Sequence, residues 1–179
     1  MNTEHIERYL NSVGRQIVRD SRQMLNDAKG ATALAKSIRF EVQPTPTGFS
    51  TIFYMDDYGA YLDEGVSGNK NQVSFTDYKG SRKSSRFSYT TKQPPVGILE
   101  KWIEKKGLKG RKSLKKYRKD SSKKIKGAGQ FITNKSFAFA IAKSIKKRGI
   151  PSLSFFQTPL GIGYNNIKEE MVKELTLDV

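Results

Sequence analysis

The chain has 179 residues, no cysteine and a formal net charge of +16, with a mean hydropathy of −0.63. These values exclude disulfides and thiolate metal centres. They also predict one domain of modest core with much of the chain outside it. No run of about 18 apolar residues is present, and the opening MNTEHIERYL is no signal peptide. A soluble protein, intracellular when made, with no membrane partner, is therefore expected.

Residues 79–148 hold 23 Lys/Arg against three acids, Glu100, Glu104 and Asp120, for a net of +20. The remainder sums to −4. A strongly basic centre on a mildly acidic chain points to a polyanionic partner or an acidic protein surface. A solvated, lysine-rich loop is the plainer account.

Ile6, Leu10, Val13, Ile17, Met24 and Leu25 are spaced mainly by three, four and seven, which predicts an amphipathic helix over residues 3–28. Gly30 closes it. Arg8, Arg15, Arg19, Arg22, Asp20 and Asp27 form its wet face, and a helix this long also suits a subunit contact. From Ala31 the chain can begin as a helical extension. Ile38, Phe40 and Val42 then alternate with Arg39 and Glu41, the mark of a strand with one buried face. Pro44, Pro46 and Gly48 make a turn, and Phe49 to Met55 return, giving a β-hairpin over about 37–55. A short helix or turn, DDYGAYLDE, follows and ends at Gly65.

Residues 66–93 lack periodicity and predict a long loop or extended excursion, functional, disordered alone or ordered by a partner. Its aromatics, Phe75, Tyr78, Phe87 and Tyr89, argue against a pure linker. Pro94 and Pro95 sit at a helix start, Val96, Leu99, Trp102 and Ile103 form the stripe, and Gly107 is the stop. The lone Trp102 reads as a core or interface anchor. Residues 108–129 have ten Lys/Arg and one acid, predicting an exposed basic insertion with at most a marginal helix over 112–120.

The most strongly specified stretch is 131–156. Phe137, Ile141 and Ile145, widened by Ala138 and Ala142, make a helical face with Thr133 or Asn134 as cap. Lys143, Lys146, Lys147 and Arg148 crowd its last turn, Gly149 supplies the left-handed stop, and Pro151 forbids continuation. Leu153 to Phe156 leaves extended. Asn165 or Asn166 is the expected cap of a last helix with Ile167, Met171, Val172 and Leu175 inward. The fold class is α+β: a long N-terminal helix, a small antiparallel sheet built on a β-hairpin, two or three further helices, long basic loops and an extended arm. A single domain, 1–179, carries basic insertions at about 66–93 and 108–129.

Chemistry is sparse. His5 stands alone, with no nucleophile motif beside it. The acidic pairs Asp56-Asp57 and Asp63-Glu64 read as capping and surface charge rather than a magnesium site. Gly107 to Gly110 is a four-residue match to a KH-type GxxG without its flanks, and no Walker A is present. No cofactor, metal site or catalytic residue is assigned. What remains is a basic surface, with Lys109, Arg111, Lys112, Lys115, Lys116, Arg118, Lys119, Lys123, Lys124 and Lys126 as candidate contacts to DNA or an acidic partner. Counterion release alone would drive non-specific nucleic-acid binding.

Three segments together resemble the neck and tail-completion proteins of tailed bacteriophages. Tyr58–Gly68 (YGAYLDEGVSG) is similar to that family's tyrosine, acid, glycine turn. PPVGILEKWIEKKG resembles its proline-led helix after a basic loop. Ala138–Ile145 with Gly149-Ile150-Pro151 and Phe155-Phe156 resembles its AxAIAxxIxxxGIP…FF segment. The longer, more basic 108–129 departs from the pattern. The resemblance implies a non-catalytic virion protein at the head–tail junction, made in the host bacterial cytoplasm. It would join a homo-oligomeric ring of roughly six or twelve copies between the connector or portal side and the tail, around the DNA channel. Tyr58, Tyr61, Glu64, Gly65, Pro94, Pro95, Trp102, Gly149, Pro151, Phe155 and Phe156 are the family-motif or subunit-interface candidates. Phe155, Phe156 and Leu160 have two open destinations, an arm on a neighbour or the core of their own sheet. A nucleic-acid-binding protein using the basic loops is the alternative function.

Overall fold

Val13, Ile17, Val18 and Leu25 lie buried on one face of helix α1 (Thr3–Asp27), and the core is built on that stripe. A computed structural model describes residues 3–28, 32–108 and 133–177. After α1 come α2 (Thr32–Ser37), β1 (Arg39–Thr45), β2 (Gly48–Tyr54), α3 (Gly59–Asp63) and the two-residue strand β3 (Val66–Ser67). Then follow β4 (Ser74–Thr76), β5 (Arg82–Ser84), α4 (Val96–Lys105), α5 (Asn134–Arg148), β6 (Gly149–Ile150) and α6 (Gln157–Leu177). The architecture is α+β, as the sequence predicts. Among the described residues no helix is long and apolar enough to cross a membrane.

The chain falls into two compact units. One, the scaffold, comprises residues 1–67, 72–87 and 150–179; the other comprises 68–71 and 88–149. The second holds 20 of the 33 Lys/Arg and three of the 17 acids, so charge separates by unit: net +17 there and −1 in the scaffold.

In the scaffold, Leu25, Leu34, Ile38 and Phe155 are fully buried together, with Val18 and Ala35 beside them. The predicted hairpin forms with Phe40 opposite Phe53 and Val42 opposite Thr51. Phe40, Phe53 and Phe156 make a chain of tilted and edge contacts at 6.0 and 5.3 Å, a favoured aromatic geometry. Helix α6 packs on α1 through Gly163. A Cβ there would sit 2.6 Å from Ile17 Cδ1, so glycine permits the close approach.

Two expectations are corrected. Residues 66–93 are not one irregular loop, because β4 and β5 pair antiparallel, Phe75 opposite Lys83. The last helix begins at Gln157, eight residues before the expected Asn165 cap. Its first turn is satisfied from elsewhere in the chain, so no local cap is needed, and Asn165 and Asn166 are exposed helical residues.

In the basic unit, α5 starts at Thr133, whose side chain accepts the Ser136 N–H at 3.2 Å, and buries Ala138 and Ala142 completely. These small residues let α4 and α5 pack closely, and Ile103 of α4 is fully buried. The amides of Asn69 and Lys70 cap the last carbonyls of α5, donating to Lys146 and Lys147 at 2.9 and 3.1 Å. Gly68 fits because a Cβ would stand 2.4 Å from the Lys147 carbonyl oxygen. Gly30 and the ten basic residues from Lys109 to Lys126 lie outside the described residues, as do the side chains of Met171, Val172 and Leu175.

Candidate interaction surfaces

Two of the motif segments read in the sequence meet inside the scaffold. Leu153 donates its N–H to the Leu62 carbonyl at 2.9 Å, and Ser154 donates to the Asp63 carbonyl at 3.1 Å. The Ser152 hydroxyl donates to the same carbonyl at 2.6 Å. Asp63 Oδ1 then accepts the N–H groups of Phe156 at 2.8 Å and Gln157 at 3.3 Å. A carboxylate at the end of α3 thus serves as cap and counter-charge for the first turn of α6, where orphan N–H groups and the helix dipole both favour an acceptor. Asp63 is only 4% exposed, and burial raises its pKa against the lowering pull of those two amides. Capping was the sequence reading for this acid, but the helix it caps is distant in sequence.

The neighbouring motif residues are equally committed. Gly65 has φ +75°, and a Cβ would lie 2.6 Å from the Ser152 nitrogen. Glu64 pairs with Arg86 at 3.0 Å. Tyr61 packs on Phe87 with ring centroids 4.1 Å apart yet stays half-exposed, as does Tyr58. Phe155 is fully buried and Phe156 sits edge-on to Phe53, so of the two open destinations these rings take the core. Pro151 is exposed.

Asp77, not singled out from sequence, organises the β4–β5 turn. Its Oδ1 accepts the N–H groups of Lys79 and Ser81 at 3.0 and 2.8 Å, and Oδ2 meets Lys83 Nζ at 2.8 Å. The Lys83 ammonium and these amides hold its carboxyl below the usual aspartate range.

A third feature is an open trough of about 490 Å³ between α1 and β1, walled by Arg15, Arg19, Arg22 and Arg39 over Phe40. Arg22 donates to the Ile38 carbonyl at 2.6 Å, Arg39 lies 4.7 Å from the Tyr54 ring centre, and Arg19 contacts Asp20 at 3.1 Å. Three of these arginines belong to the wet face that periodicity predicts for the first helix; Arg39 joins them only because the hairpin brings it alongside.

At the other end of α1 acidic side chains stand among basic ones, Glu4 with Arg8 and Glu170 with Lys173. The Tyr9 hydroxyl donates to the Asn166 carbonyl at 3.1 Å, and its pKa is raised by burial and then by Glu170 and Glu169 nearby. Both glutamates are exposed, as is Glu7.

The basic unit presents apolar as well as cationic surface. Pro95 is the N-cap residue of α4, following a part-buried Pro94. On α4, Ile98 is 67% and Trp102 44% exposed, and on α5 Phe139 is 52% exposed. Gly149 ends α5 as expected, but with φ 82° and ψ −169° it stops the helix in an extended positive-φ conformation rather than the left-handed helical one. Among the described residues no three His, Asp or Glu side chains gather as metal ligands would. Comparison with protein-family models, curated proteins and solved structures finds no match to this chain.

Proposed function

We propose that the chain is a structural virion protein, a ring-forming subunit at a phage head–tail junction that joins connector to tail around the DNA channel. The observation that supports this most is where the motif residues spend their chemistry. Asp63, Glu64, Gly65, Phe155 and Phe156 are consumed in holding the scaffold together. The exposed groups include arginines and large apolar side chains such as Trp102 and Phe139, types enriched in protein contacts. A subunit built to be joined on several sides needs a rigid seam and open charged faces.

The concentration of +17 in one unit supports the second reading, a non-specific nucleic-acid-binding protein. Native mass spectrometry of the purified full chain, with and without short duplex DNA, separates the two. Closed rings of defined copy number without DNA are expected. Monomers that form complexes only with DNA, with affinity that falls steeply as salt rises, would favour the second reading.

A further inference from the structure

The scaffold unit is electrically two-ended. Arg15, Arg19 and Arg22 follow at i, i+4 and i+7 on α1, so their guanidinium groups line one face, and Arg39 closes the trough from β1. All four lining cations are arginine, the side chain whose planar fork matches carboxylates in pairs. Among the described residues only Arg19 of the four has a carboxylate partner, its own neighbour Asp20. Glu169 and Glu170 stand at the opposite end, where α6 passes Tyr9, Glu170 with Lys173 Nζ at 3.7 Å on its own helix.

These two patches cannot satisfy one another within one molecule. Gly163 against Val13 and Ile17, and Asn166 against Tyr9, fix α6 antiparallel to α1. From Tyr9 to Arg22 the helix advances about 20 Å. The acids therefore lie toward the end of α1 away from Arg22 and Arg39. The scaffold itself carries −1, so the general repulsion between copies of net charge +16 comes from the basic unit.

We propose that the arginine trough of one copy receives the Glu169–Glu170 end of α6 from a second copy. This rests on the reading of the chain as a ring subunit and names the faces that meet. Made head to tail, such a contact passes from copy to copy and closes a ring when the rotation between copies closes; made reciprocally, it stops at a dimer. Its electrostatic character sets register and association rate and makes it weaken with salt.

Two charge-reversal variants of the full chain test it: Arg15→Glu with Arg19→Glu, and Glu169→Lys with Glu170→Lys. All four positions are exposed, so folding is retained, as circular dichroism would verify. Sedimentation velocity is expected to show each variant associating about tenfold more weakly than the wild type or worse. An equimolar mixture should recover association, because each variant keeps one native face and the reversed faces match. Rings that persist unchanged in both variants overturn the contact and leave the ring reading standing. Paired association that responds to both reversals without closing supports the contact while counting against the ring. A wild type monomeric at high concentration and low salt overturns the contact. So does a trough variant that loses only affinity for duplex DNA.

Discussion

The carboxylate of Asp63 accepts the backbone N–H of Phe156 at 2.8 Å across 93 residues of sequence. This one group ends α3, starts α6 and ties together the two motif segments. Replacing Asp63 with Ala leaves two first-turn amides without an acceptor and is expected to cost about 1–2 kcal/mol. Asp63→Asn keeps an oxygen in place and should cost much less. Urea unfolding followed by far-UV circular dichroism measures both; equal losses would show that packing, not the cap, holds this end of α6.

Asp63 and Asp77 titrate in opposite directions. Burial raises the Asp63 pKa, so its folded form binds a proton more readily than the unfolded chain does. Its contribution is greatest below the ordinary aspartate range and is lost as pH rises through the raised value. Asp77 is held low by Lys83 and two amides. Its contribution is present above the unfolded aspartate value and is lost as pH falls through the lowered one. Carboxyl-carbon NMR should find Asp77 titrating at lower pH than Asp63, and Asp63→Asn should remove the loss of stability that accompanies Asp63 ionisation as pH rises.

Gly65 and Gly97 make a matched pair. At Gly65 the positive φ and the nearby Ser152 nitrogen forbid a methyl group, and Gly65→Ala is expected to cost about 2 kcal/mol or more. Nothing lies within 4 Å of a Cβ at Gly97, inside α4, so Gly97→Ala should stabilise by about 0.5–1 kcal/mol. Thermal unfolding of the two variants checks the contrast.

Adjacent residues on α4 should also behave oppositely. Ile103 is fully buried whereas Trp102 is 44% exposed. Ile103→Ala is expected to cost about 2–5 kcal/mol, but Trp102→Ala no more than about 1 kcal/mol. Hydrogen exchange on α4 and α5 reads the difference within the basic unit. A large destabilisation from Trp102→Ala would place that ring in a core role.

Ser21 is fully buried on α1, and among the described residues its hydroxyl has no hydrogen-bond partner. Ser21→Ala removes a polar atom held out of water and should leave stability unchanged or raise it by about 1 kcal/mol. Chemical denaturation decides this.

Local signals were legible where the physics is local. Alternation of Phe40 and Val42 with Arg39 and Glu41 marks the hairpin, Thr133 marks a helix start, and Gly149 with Pro151 marks a stop. The start of α6 was not legible, because its acceptor is Asp63, far away in sequence. Nor was the β4–β5 hairpin: Arg82, Lys83 and Ser84 are all exposed, so no apolar alternation announces them. The arginine trough looked like an ordinary solvated face until β1 placed Arg39 beside it.

The scaffold is discontinuous in sequence, and this sets its order of assembly on the ribosome. Its first 67 residues emerge early, but Val13 and Ile17 wait for Gly163, and Asp63 waits for Phe156. At typical translation speeds the remaining residues take roughly 6–20 s to follow. During that interval Val13 and Ile17, the part of the α1 stripe that Gly163 covers, are exposed to chaperones and to neighbouring nascent chains. The basic segment 88–149, made in between, can pair α4 with α5 while the scaffold is still open. Synthesis of α6 is therefore the committing step, and truncation before Gln157 should yield chains that are captured or degraded rather than assembled.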